Sequence, residues 1–231
     1  VLVDEPDRGA AGIWSIACDD KHIFITHSGT HEVSLIDHPA MLAKFESYKD
    51  KSRLDYDLNF LYGLRERVPL QGNGPRNFIF SGDKLIIPTY FADINTLEVT
   101  ATDMNPGRTE TPENKGEKYF NDANHCYQGW QSCNGCHPGD ARTDGMNWDL
   151  MNDGVGNSKN CKSMLYSHVT PPSMISGVRE SAEYAVRAGF KFIQFFEPEE
   201  EMAKCVDAYM KSLRPVPSPY LVNGELSDKA K

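Results

Sequence analysis

The chain has 231 residues, of which 39% are hydrophobic and 25% charged, and a formal net charge of −9. This composition is that of an ordinary globular protein with one large or two small domains, and no apolar run approaches the roughly 20 residues of a transmembrane helix. The acidic balance argues against nucleic acid and anionic membrane surfaces as partners and fits a basic partner protein.

Residues 1–11 carry neither the basic nor the apolar stretch of a signal peptide, and there is no initiator Met. The chain therefore reads as mature or as a piece of something longer. Residues 11–103 then read as β. Short apolar or alternating runs at residues 13–18, 22–27 and 32–36 are separated by the turn signals Asp19-Asp20-Lys21 and Ser28-Gly29-Thr30. A helix-like insert over residues 39–48 follows. The strand pattern then recurs at residues 77–80, 84–88 and 97–101, with a Ser81-Gly82-Asp83 turn. Internal repetition of short strands points to propeller blades, and two blades cannot close a propeller. Either neighbouring sequence or a further chain or subunit would complete the repeats, and a small antiparallel sandwich is the alternative.

Residues 104–115 are rich in Thr, Pro, Asn and Gly and read as a linker. Thr111 followed by Pro112 reads as an N-cap with proline at the first helical position. A second helix begins at Pro198-Glu199-Glu200-Glu201, with acid at its positive end. Its apolar stripe is Met202, Cys205, Val206, Tyr209, Met210 and Leu213, and Arg214-Pro215 ends it. A shorter helix is expected over residues 180–188.

Between these helices stands Cys133-Asn134-Gly135-Cys136-His137. This C-x-x-C-H pattern takes a c-type haem: two thiols two residues apart add across the two porphyrin vinyl groups, and the adjacent histidine becomes the proximal iron ligand. A bare C-x-x-C would equally suit a redox dithiol or half a zinc site. Covalent attachment of haem takes place outside the cytoplasm, so a periplasmic or extracellular location is expected. Cys18, Cys126, Cys161 and Cys205 remain, and four cysteines permit three pairings. Cys126 and Cys161 flank the haem segment and form one candidate disulfide, while Cys205 falls on a helical stripe where a small buried hydrophobe is expected.

Lys115-Gly116-Glu117-Lys118-Tyr119-Phe120, the C-x-x-C-H run and a last helix with Tyr209 and Leu213 together resemble a class I cytochrome c domain. Thr170-Pro171-Pro172-Ser173-Met174-Ile175-Ser176-Gly177, followed by Ala182-Glu183-Tyr184-Ala185-Val186, resembles the "APY-x-HDG … LEEAV" stretch of the bacterial di-haem cytochrome c peroxidase and methylamine-utilisation enzyme superfamily. More loosely, the β half resembles exported propeller-repeat proteins fused to such a domain. The implied fold is α+β and multi-domain, with incomplete β-propeller-like repeats over 1–105, an all-α class I cytochrome c-like domain over 106–214 and a tail over 215–231. The His and Asp of "HDG" are Ile175 and Ser176 here, the distal-ligand position of that family is Gly189, and only one C-x-x-C-H is present. Single-electron transfer with a redox partner protein is therefore the first expectation. The alternative is a portion of a di-haem peroxidase-like oxidoreductase, whose second-domain lead-in residues 224–231 resemble.

For the sixth iron ligand Met174 is the first choice, because Pro171-Pro172 stiffens its approach. His–Met ligation raises the potential, whereas the alternative, His168, gives a bis-His haem of lower potential. Met146, Met151, Met164 and an open iron are the remaining options, and His125 sits too close to the motif. Arg142 and Trp148 carry a guanidinium and an indole N–H suited to haem propionates. Asp144, Asn147, Asp149 and Asp153 admit calcium, but their spacing is not that of an EF-hand, and a solvated loop is the expected state. His22, His27, His31 and His38 are read as ordinary strand and turn histidines rather than a metal cluster.

Overall fold

The computed structural model describes residues 1–70, 72–81, 84–91, 110–149, 156 and 158–229. The chain is mixed α and β, with several small sheets. β1 (Ile13–Cys18), β2 (His22–His27), β3 (Glu32–Asp37) and β4 (Arg65–Pro69) form an antiparallel meander in sequence order. The pairs Ile23↔Ile36 and Phe24↔Leu35 set the β2–β3 register. Period-two alternation sends Ile23, Ile25 and Ile36 to one face and Phe24, Val33 and Leu35 to the other. Both faces are covered. The first packs on Val3, Ala10, Leu54, Phe60 and Leu61, and the second on Ile87, Leu70, Phe78 and Leu85. Two-sided burial explains why β2 reads as an almost continuous apolar run.

The expected insert forms α1 (His38–Ser47), capped by the Asp37 carboxylate, which accepts from Ala40 N at 2.9 Å. A 3-10 turn, Lys51–Tyr56, follows it. β4 was not among the predicted strands. Its residues Arg65 and Arg67 look solvated, yet their side chains are 2% and 3% exposed. Arg65 Nη2 meets Glu5 Oε1 at 2.6 Å, Arg67 grips Glu32 through Nε at 3.1 Å and through Nη2, and Arg8 Nη2 meets Glu32 Oε2 at 2.6 Å. These carboxylates make an inward-facing arginine strand tolerable.

The second repeat departs from the first. Among the described residues it consists of two small ladders, β5 (Asn73–Pro75) with β8 (Thr89–Phe91) and β6 (Ile79–Ser81) with β7 (Lys84–Ile86). No closed propeller is present among the described residues. The expected strand at 97–101, the Gly82-Asp83 turn and the linker up to residue 109 lie outside them. Arg76 ties the repeats together, its guanidinium lying 3.7 Å from the Trp14 ring centroid and 4.6 Å from that of Tyr90.

The α half follows. α2 (Pro112–Asn121) starts where expected, with Thr111 Oγ1 accepting from Asn114 N at 3.3 Å. After the short elements α3 (Cys133–Cys136), α4 (Pro138–Ala141), β9 (Asn147–Trp148) and β10 (Lys159–Asn160), α5 (Ala182–Phe192) and α6 (Glu200–Ser212) complete the core. Phe120, Ala141, Val186, Phe190, Val206, Tyr209 and Met210 form the cluster between them. Gly116 sits where α2 crosses α6, and a Cβ there would come within 1.9 Å of the Cys205 carbonyl oxygen. The two halves meet where the loop after β2 abuts the segment after α2. Ala123 N donates to Gly29 O at 2.8 Å, and His31 Nε2 lies 3.2 Å from Asp122 Oδ1.

Candidate haem-attachment site

Cys133 and Cys136 are the ends of a single helical turn, α3 (Cys133–Cys136), and His137 N closes it by donating to Cys133 O at 2.9 Å. The chain then reverses its hand. In the turn α4 (Pro138–Ala141), Gly139, Asp140 and Ala141 have φ of 64°, 62° and 57°. Consecutive left-handed residues are costly outside glycine, and surroundings that over-determine the conformation must hold them. Here the buried Ala141 packs in the α-half core, and its carbonyl accepts from Met164 N at 2.8 Å.

The turn brings Arg142 back beneath the histidine. His137 Nδ1 lies 3.1 Å from Arg142 O. A carbonyl only accepts, so the proton resides on Nδ1 and the Nε2 lone pair is left for a metal. This is the outer-shell bond that orients an imidazole ligand.

Burial pushes the Cys133 thiol up to about 12 and the Cys136 thiol up to about 11. Redox dithiols need the opposite shift, because the thiolate is the reactive species. Two glutamines attend the sulfurs: the Cys136 thiol faces Gln131 Oε1 at 3.8 Å, and Gln194 Nε2 faces Cys133 Sγ at 4.0 Å. Gln194 is 2% exposed. Neither glutamine carries a sequence signal, since each approaches through the folded loops.

Cys161 was read from sequence only as a disulfide candidate. The short ladder of β9 (Asn147–Trp148) with β10 (Lys159–Asn160) delivers it to the site. Its Sγ donates to Cys136 O at 3.0 Å and lies 3.5 Å from His137 Nδ1. It is not bonded to Cys126, and all six cysteines are free thiols.

Arg142 belongs to the site through its backbone, and its Nε is buried without a protein partner. The Trp148 indole N–H donates to Asp144 Oδ2 at 2.8 Å, and Asp144 N donates in turn to Cys136 O at 3.2 Å. Trp148 thus stands close to the motif, with its donor engaged by Asp144. Asp144 Oδ1 accepts from Met146 N, while Met151 and Asp153 lie outside the described residues. Met174 sits on an exposed loop, with φ of 72° and 47% exposure. His168 is held elsewhere: its side chain is 5% exposed, and Nε2 lies 3.3 Å from Asp207 Oδ1 on α6. Met164 is half-buried against the α core, and Met146 is exposed. His125 stacks against Phe196 and lies 3.5 Å from Asp122 Oδ2.

The strand histidines are dispersed. His27 contacts Ser34 Oγ at 2.8 Å, His38 contacts Asp19 O at 2.9 Å, and His22 lies beside Asp19. Among the described residues no group of three or more His, Cys, Asp or Glu side chains converges on one point. A haem iron needs only His137 and one further ligand. The paired thiols, His137 Nε2 with Cys161 Sγ 3.9 Å away, and the orphaned Arg142 donor all fit that group.

No family model and no curated protein matches the chain. Among solved structures, it is similar to a chain of Kuenenia stuttgartiensis hydrazine synthase pressurised with 20 bar xenon. The two are 26% identical, and the match covers 54% of this chain and 43% of that one, with a TM-score of 0.46. The chain thus spans less than half the length of that chain. No helix among the described residues is long and apolar enough to cross a membrane.

Proposed function

We propose that this chain is a c-type haem protein that transfers single electrons outside the cytoplasm. One observation carries the reading: a helical turn bearing both thiols is followed at once by a histidine whose Nδ1–H is held by a backbone carbonyl. That arrangement readies Nε2 for iron and no other ring atom. The bound haem supplies the one-electron couple. The protein's part is to fix the macrocycle through Cys133 and Cys136, orient His137 through Arg142 O, and meet a propionate with the Arg142 guanidinium. Met174 is the proposed distal ligand, because His168 is already paired with Asp207. The upward-shifted thiols argue against dithiol exchange, since both stay protonated at neutral pH.

In this proposal the β half is a blade-like platform. The meander and the second repeat pack face to face through Phe24, Val33 and Ile87, as neighbouring blades do. The net charge of −9 suits a basic redox partner.

The test is production with a c-type maturation system, followed by a haemochrome assay on acid-denatured protein. One haem retained after denaturation is expected. Loss of covalent attachment in Cys133→Ala and Cys136→Ala, with iron ligation lost in His137→Ala, completes the pattern. Haem extracted freely from the denatured wild type would sink the reading.

A further inference from the structure

Ser173 and Arg179 close the base of the loop that carries Met174. Their backbones bond in both directions, Ser173 N to Arg179 O at 2.8 Å and Arg179 N to Ser173 O at 3.3 Å. Ser173 is 9% exposed, yet its Oγ is buried without a protein partner. Arg179 Nε is likewise buried and unpartnered. Its guanidinium lies over the Phe192 ring, 5.7 Å from the centroid, at the end of α5. The next two residues after Phe192 reach the thiol-bearing turn. Ile193 O accepts from Gln131 Nε2 at 3.3 Å, and Gln194 Nε2 faces Cys133 Sγ. The half-buried Arg179 and the buried Ser173, joined through their backbones, each leave a buried polar atom unbonded, which is costly unless an acceptor arrives to take it. A guanidinium N–H and a hydroxyl on two backbone-paired residues suit a carboxylate, with a charge-assisted bond from the first and a neutral one from the second.

We propose that Arg179 Nε and Ser173 Oγ form a carboxylate-binding site whose ligand is the second propionate of the haem, the first being met by Arg142. The inference rests on the haem reading above and deepens it. It makes the Met174 loop part of the haem pocket by a direct bond, independent of any iron–sulfur bond. The two arginines act at separate propionates, from opposite ends of the sequence segment that encloses the site.

Resonance Raman spectroscopy of the matured full-length protein tests this through the bending bands of the two propionates. Arg179→Leu and Ser173→Ala are expected to shift one band, Arg142→Leu to shift the other, and Arg179→Lys to return the first part of the way. Unmoved bands in Ser173→Ala and Arg179→Leu, with haem covalently attached, overturn the site. A shift of the same band by the Arg142 and Arg179 variants overturns the two-propionate assignment. Should Arg179→Leu not fold, Ser173→Ala and Arg179→Lys decide the matter by the same bands. A wild type without covalent haem in the haemochrome assay removes the parent reading instead, and is seen separately.

Discussion

His168 Nε2 lies 3.3 Å from Asp207 Oδ1, and Asp207 Oδ2 takes Arg187 Nη1 at 2.6 Å. This buried pairing holds the turn before the Met174 loop against α6 and commits the imidazole to a carboxylate. His168→Ala should therefore leave the haem absorption spectrum and reduction potential unchanged. It should lower unfolding stability by about 1–3 kcal/mol, as expected for a buried acceptor that loses its partner. Met174→Ala should instead lower the potential, because a thioether ligand raises it. Potentiometry and urea denaturation of both variants check the pair, and a potential that falls only in His168→Ala would reverse the ligand assignment.

Gly116 marks the closest approach of α2 to α6. A methyl group there would meet the Cys205 carbonyl oxygen at 1.9 Å and Tyr209 Cβ at 2.8 Å. The obstacle at the nearest point is backbone, which cannot rotate away. Gly116→Ala should cost about 3 kcal/mol or more, above the usual range for overpacking by one carbon, despite alanine's better helix propensity. Thermal unfolding measures this, and a stabilised variant would mean the helices do not cross at Gly116.

Glu32 is 1% exposed and neutralises Arg67 inside the first sheet. Glu32→Gln should destabilise the chain by about 2–4 kcal/mol, because the buried Arg67 guanidinium keeps Glu5 but loses the more buried of its two carboxylates. Replacing Glu32 and Arg67 together with Leu and Met should recover most of that loss. Chemical denaturation of the single and double variants gives the comparison.

Burial lowers the His27 pKa from its ordinary 6.5 to about 4. The unfolded chain binds this proton more readily than the folded one, so the stability contribution is fully present above pH 6.5. It is lost as pH falls toward 4, by about 3 kcal/mol in all. His27→Gln should remove that component. The wild type is expected to lose about 3 kcal/mol relative to the variant as pH falls from 6.5 to 4, and unfolding free energies of both across this range check it.

Much of this was legible in the sequence because it is encoded locally. Thr111-Pro112 announces α2, the 3-4 spacing of Cys205, Val206, Tyr209 and Met210 gives the buried face of α6, and the motif itself lies in one helical turn. β4 was not legible, because Arg65 and Arg67 read as solvent-facing until Glu5 and Glu32, about sixty and thirty-five residues upstream, are seen to meet them. The place of Cys161 beside the motif was not legible for a similar reason. Its role depends on the β9–β10 ladder, whose two-residue strands leave no periodic trace. The commitment of His168 to Asp207 spans 39 residues and is equally invisible along the chain.

The left-handed turn after the motif places a main-chain oxygen, rather than a side chain, under His137. Substitution of the side chain at position 142 removes the guanidinium but leaves that oxygen in place. In the proposed haem site the aim of the imidazole and the anchoring of the macrocycle are therefore separately mutable, although one residue would serve both. Variation at 142 can retune the electrostatics of the site while the geometry of the proximal ligand is inherited unchanged. A change that straightens Gly139, Asp140 or Ala141, or one at Cys161 beside the ring, is what touches the histidine.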